Sequence, residues 1–163
     1  MTLQHLRCIM LCVGEERSYT MLQDTAPFPR KGVSVITSIL FVKDEHATTQ
    51  LFLRLLSQET PYHIFWATNG LAALHFTQHV KPQLFLLDYH LPDMNGIQLY
   101  DRLHVRKELE AVPALIIDAC LESAGDDIKQ RGLFAVVVNP FDRDEFLSTI
   151  ESILASPSGE QGL

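Results

Sequence analysis

Cysteine is scarce in this chain and builds no recognisable framework where it occurs. Cys8, Cys12 and Cys120 are an odd number, which argues against the disulfide scaffold of a small secreted domain. The Cys8/Cys12 spacing is not C-x-x-C, and no second pair completes a zinc site. Long apolar runs are missing too, and none approaches the ~20 residues of a membrane span. The short apolar patch at 9–13 runs into Gly14, Glu15 and Glu16 without a small-residue cleavage site, so it makes a poor signal peptide. There is no dense basic run, and 13 Lys+Arg against 20 Asp+Glu leave a net charge of −7. Direct nucleic-acid binding needs clustered Lys and Arg against phosphates and is not expected. A Gly-rich phosphate loop and a G-x-S-x-G elbow are also absent. Together these absences point to a reducing cytoplasm, with neither membrane nor nucleic acid as a direct partner.

What remains is a chain of 163 residues, 47% of them hydrophobic, enough for one domain with a real core. Residues 1–33 read as an N-terminal extension or linker, because 25–32 (TAPFPRKG) is rich in breakers and no period is sustained before it. Residues 34–155 read as the domain, and 156–163 (SPSGEQGL) as a disordered tail. Within the domain, β-branched and apolar runs at 34–42, 62–67, 84–87, 113–117 and 134–138 predict five strands. Helical stripes at 46–57, 71–79, 97–106 and 123–131 alternate with them, and a last helix follows Pro140. Asp142 can cap that helix with Glu145 three residues on, ahead of the apolar face Phe146, Leu147, Ile150, Ile153 and Leu154. Residues 88–96 read as a polar loop.

Strands alternating with helices imply an α/β fold, a parallel sheet covered on both faces. The functional crevice of such sheets lies beyond the carboxyl ends of the strands. The residues just past those ends are Lys43-Asp44-Glu45, Ala67-Thr68, Asp88, Asp118 and Asn139-Pro140. Three of the five ends therefore carry an aspartate, the raw material of an acidic site.

Three stretches, in order, carry a resemblance. The run PQLFLLDYHLPDMNG at 82–96 is similar to P-D-x-x-x-x-D-x-x-M-P-x-M-x-G, ATNGLAAL at 67–74 to A-x-N-G-x-E-A-L, and GLFAVVVNPF at 132–141 to G-A-x-x-Y-L-x-K-P-F. On these the chain resembles the CheY-like receiver domain of two-component response regulators, in an atypical form, over about residues 36–154. The resemblance implies a three-layer, doubly wound, flavodoxin-like fold with a five-stranded parallel sheet of order 2-1-3-4-5. It implies a signalling protein in a phosphorelay rather than an enzyme, beyond self-phosphorylation from a phosphodonor. The implied donor is a sensor histidine kinase or phosphotransfer protein. With no further domain after 155, output is expected by docking to a downstream protein through about 123–154.

Carried over by position, Asp88 is the phosphoacceptor. Asp44, Asp88 and the backbone carbonyl of His90 are the implied ligands of Mg²⁺, a cation that takes oxygen ligands and keeps several waters. Other positions depart from the pattern. Lys43 stands where the first of two paired acids is expected, Asp118 where a phosphoryl-binding Ser or Thr is expected, and Asn139 where a lysine is expected. Val136 replaces a common switching aromatic. The family's three acids and one lysine sum to −2, and Lys43, Asp44, Asp88 and Asp118 also sum to −2. Mg²⁺ is expected to bind weakly, since the Lys43 ammonium repels the cation where a carboxylate would have attracted it. Crowded acids need a cation near them, so Lys43 is expected to pair with Asp88 or Asp118. The Asn139–Pro140 bond is expected to be cis, as the resemblance implies. These departures leave a second reading open, a degenerate receiver that docks without phosphate.

Other signals carry less. His75 and His79 are spaced i, i+4, but position 76 is Phe rather than the Glu of H-E-x-x-H. Phe65 and Trp66 read as core. Asp88-Tyr89-His90 is not the D-x-D of dehalogenase-type phosphotransferases.

Overall fold

A parallel strand covered on both faces must be apolar at nearly every position, and the run LFLLD meets that demand. It forms β4 (Leu84–Asp88), with all five residues buried. The computed structural model describes residues 10–12, 36–44, 47–118, 125–137 and 141–156, with side chains at all of these but 10–12, 118, 136 and 137. In chain order the elements are β1 (Met10–Cys12), β2 (Ser38–Val42), α1 (Ala47–Glu59), β3 (His63–Ala67), α2 (Gly70–Phe76), β4, α3 (Gly96–His104), β5 (Ala114–Asp118), α4 (Gly125–Gln130), β6 (Phe134–Val137) and α5 (Arg143–Ala155).

The strands pair in parallel in the order β1-β3-β2-β4-β5-β6. The five strands expected from the sequence stand in the expected 2-1-3-4-5 arrangement. The sheet nevertheless has six strands rather than five. β1, inside the stretch read as an extension, adds itself to the outer edge of β3, with Met10 opposite Phe65 and Cys12 opposite Ala67. The described part of the short apolar patch at 9–13 thus belongs to the sheet. Beyond the other end, 157–163 lie outside the described residues, while Ser156 closes α5 by donating its amide to the Ser152 carbonyl at 3.2 Å.

Side chains alternate across a strand, and the sheet therefore divides its apolar residues between two cores. Ile39, Phe41, Leu84, Leu86, Leu115 and Ile117 pack with Phe52 and Leu56 of α1 and Phe146 and Ile150 of α5. Leu40, Val42, Phe85, Leu87 and Ile116 pack with Phe76 of α2, Leu103 of α3 and Ile128 of α4. Each fully buried Leu or Phe contributes roughly 1.5–3 kcal/mol relative to exposure.

The helices start where side chains can satisfy their free amides. Asn69 accepts from the Ala72 amide at 2.8 Å to open α2, and Asp142 accepts from the Glu145 amide at 2.9 Å to open α5. Asn95 and Gln98 form a full capping box on α3. Its end is held by His104, whose Nδ1 lies 3.0 Å from the Tyr100 carbonyl and whose Nε2 lies 2.9 Å from the Val112 carbonyl just before β5. The helix expected at 71–79 ends at Phe76, where Thr77 turns the chain.

At the foot of β3, His63 stacks on Phe65 with ring centroids 4.8 Å apart. Burial holds its imidazole below the ordinary histidine value of about 6.5. The unfolded chain thus takes up this proton at a higher pH than the folded one. The resulting stability is fully present above the unfolded value and is lost as pH falls through the folded one. Urea midpoints measured between pH 7 and pH 5 are expected to fall with pH, and less steeply in His63→Phe.

Candidate functional site

The parallel register of β2 on β4 sets Val42 opposite Leu87. One residue further along, Lys43 and Asp88 therefore stand side by side where the two strands end. The backbone of Lys43 is gripped from β3. Its amide donates to the Ala67 carbonyl at 3.0 Å, and its carbonyl accepts from the Trp66 indole Nε1 at 2.8 Å. With its root fixed, the lysine side chain crosses to β4, and its Nζ forms an ion pair with Asp88 Oδ2. The pair is shielded from solvent, with side-chain exposures of 14% for Lys43 and 8% for Asp88. The other oxygen, Asp88 Oδ1, accepts from the His90 amide at 3.2 Å. Both oxygens of this carboxylate are thus met by donors.

The loop after β4 curls back over the acid. The Gly96 amide donates to the Tyr89 carbonyl at 2.9 Å, and His90 and Asn95 form an antiparallel bridge across it. Asp93, on the same loop, accepts from the amides of Gly70 at 2.9 Å and Leu71 at 2.8 Å. The loop is thereby fastened to the first turn of α2, where a carboxylate is favoured by the helix dipole. On the opposite rim, the carbonyl of Asp44 accepts from the Thr49 hydroxyl at 2.7 Å, tying the β2–α1 loop to the helix that follows.

Lys43, Asp44, Asp88 and His90 come together at the carboxyl ends of β2 and β4. Asp118 is the last residue of β5, whose Ile117 is opposite Asp88, and its side chain lies outside the described residues. Asn139, and with it the Asn139–Pro140 bond, also lies outside them, as does the side chain of Val136. Lys43 was expected to pair with Asp88 or Asp118, and it pairs with Asp88. Trp66 is core, 4% exposed, but its indole also reaches the site. His75 and His79 face each other with ring centroids 5.8 Å apart, without a third ligand. Trp66 and Asp93 as parts of the site were not foreseen, because their partners lie 23 residues away in sequence. The capping box at Asn95 could have been found, since Asn-x-x-Gln before an apolar stripe is its signature.

Mg²⁺ asks for near-octahedral oxygen ligation. The described residues as they stand do not fit it. Among the described residues no group of three or more His, Cys, Asp and Glu side chains is arranged to hold a metal ion. Of the acids at this rim whose side chains are described, Asp88 has an ammonium on the oxygen a cation would use.

Gly96 is required by the closeness of the loop to the acid. A Cβ there would lie 2.6 Å from the backbone oxygen of Asp88, an atom that cannot swing aside. Gly96→Ala is expected to lower unfolding stability by about 1–3 kcal/mol through this overpacking, measured as a shift of the urea midpoint at unchanged slope.

Comparison with known proteins identifies the family and the fold of this chain. The chain matches the response regulator receiver domain family over residues 39–151. It is 30% identical over 118 residues to the polar-differentiation response regulator DivK of Brucella anthropi, covering 72% of this chain and 95% of that protein. The same regulator from Brucella ovis is 29% identical over the same length. Among solved structures, a putative response regulator from Chloroflexus aurantiacus superposes with a TM-score of 0.68 at 22% identity, covering 74% of this chain and 99% of the other. The receiver domain of a sensor histidine kinase from Pseudomonas aeruginosa, solved with a magnesium ion in its active site cleft, superposes at 0.67 and 19% identity, with the same coverage. Both likenesses are of fold. With the family match running through the whole of the five-stranded core, and Asp88 ending its central strand, the chain belongs to the response regulator receiver domains of two-component signalling.

Proposed function

We propose that Asp88 accepts a phosphoryl group from the phosphohistidine of a sensor histidine kinase or phosphotransfer protein. The single observation that carries this reading is the placement of Asp88. It is a carboxylate 6% exposed at the carboxyl end of the central strand, with a cation on one oxygen and an amide on the other. In the step, an Asp88 carboxylate oxygen attacks phosphorus, the P–N bond of the donor breaks, and its electron pair stays on the imidazole nitrogen. An acyl phosphate results. Negative charge spread over the phosphoryl oxygens is what a positioned donor stabilises best, and Lys43 and the His90 amide are such donors. Asp44 and His90, the positions implied as metal ligands, follow the ends of the same two strands. Asp118 and Asn139 stand for the phosphoryl-binding positions in sequence.

Output is proposed through the face formed by 123–154, toward a downstream protein in the cytoplasm. On it Phe134 of β6 is 45% exposed. Arg131, just past α4, grips Asp101 of α3 through two contacts of 3.0 Å, so a shift of α4 has to break that pair. Among the described residues no helix is long and apolar enough to cross a membrane.

Incubation of the full chain with phosphoramidate is expected to add the mass of one phosphoryl group, labile to hydroxylamine, and Asp88→Asn is expected to gain none. Label retained in Asp88→Asn, or none in the wild type, overturns the assignment.

A further inference from the structure

We infer that Lys43 is the resident cation of this site and that its ammonium takes the place of a divalent metal at Asp88. The first observation is the ion pair, in which Lys43 Nζ engages Asp88 Oδ2 at low solvent exposure. The second is the way the lysine is held. A surface lysine pairs loosely because its backbone and its long stem both wander. Here the amide and carbonyl of Lys43 are both hydrogen-bonded to β3, at 3.0 Å to Ala67 and 2.8 Å to the Trp66 indole. The register of β2 on β4 then points the side chain at one target. The third is the donor set. A divalent ion arriving at Asp88 would have to displace the ammonium from Oδ2 and then sit beside it. Among the described residues it would find no third acidic or imidazole ligand in return.

The chemistry asked of the cation does not require a metal. Carboxylate and incoming phosphoryl oxygens repel each other, and any fixed positive charge at the Asp88 oxygen offsets that repulsion. An ammonium does so without water ligands to strip and at all concentrations of divalent ion. Lys43 is thus a positioning residue for Asp88 before transfer and a donor to the phosphoryl oxygens after it. Acceptance becomes a property of the polypeptide alone, no longer gated by magnesium. The labelling part of this inference rests on the reading of Asp88 as acceptor; the metal part does not.

The test uses the full chain and two readouts. Trp66 is the only tryptophan and bonds to the Lys43 carbonyl, so its fluorescence reports on this site. Titration with MgCl₂ is expected to give no saturable change in the wild type at millimolar concentration. Lys43→Asp is expected to bind at least roughly tenfold tighter, since a repelling charge becomes an attracting one. Lys43→Asn, gentler on folding, is expected to lie between them. Saturation of the wild type below a millimolar overturns the inference, as do variants that bind no better than wild type. In the second readout, phosphoramidate labelling of Asp88 is expected at equal rate in excess EDTA and in Mg²⁺. Labelling that needs Mg²⁺ in the wild type overturns the inference. Absence of label in both buffers is the failure of the acceptor reading instead, and the titration then decides the role of Lys43 by itself.

Discussion

The pairing of β2 with β4 is the constraint on which the rest of this molecule depends. Four matched residue pairs, Ile39–Leu84 through Val42–Leu87, lie at the centre of the sheet. They separate two cores, one against α1 and α5 and the other against α2, α3 and α4. A slip of one residue would exchange the two sets of side chains between the faces. The same slip would also part Lys43 from Asp88. Stability and site geometry are therefore set by one register, and the apolar residues that specify the fold also specify which charges meet.

Much of this was legible in the chain itself. Five strands and five helices follow from periodicity, and their order follows from the resemblance carried by residues 67–74, 82–96 and 132–141. Asp88 was legible because the apolar run before it stops there. The pairing of Lys43 was legible as an electrostatic argument, since acids at neighbouring strand ends need a cation nearby. β1 was not legible: three residues are too few for a period, and an edge strand gains its meaning from the neighbour it pairs with. The roles of Trp66 and Asp93 were hidden for a related reason. Each acts through a bond that only the folded chain brings within reach, and a tryptophan in an apolar strand reads equally well as filler.

The site keeps an aspartate, Asp88, at the position proposed as acceptor, while Lys43 stands beside it where the resemblance implies an acid. A lysine where an acid is implied does more than delete a ligand, because it brings its own charge to the oxygen the ligand would have shared with a metal. Around this pair the scaffold is tied together by its own contacts. Asp93 fastens the loop to α2, Gly96 lets that loop lie against the backbone of Asp88, and a full capping box starts α3. Among the described residues, these contacts hold the acid in place.

The extra strand at the margin of the sheet has a consequence for how copies of this protein behave toward one another. A strand left open at an edge offers a row of unpaired amides and carbonyls on which another chain can grow. Without β1, that row would be β3, five residues of aromatic and aliphatic sequence, HIFWA. With β1 in place, the outermost strand on that side spans Met10–Cys12 among the described residues. A short strand makes a poor template, so a chain lacking it would present the longer, more apolar edge of β3 to its neighbours instead.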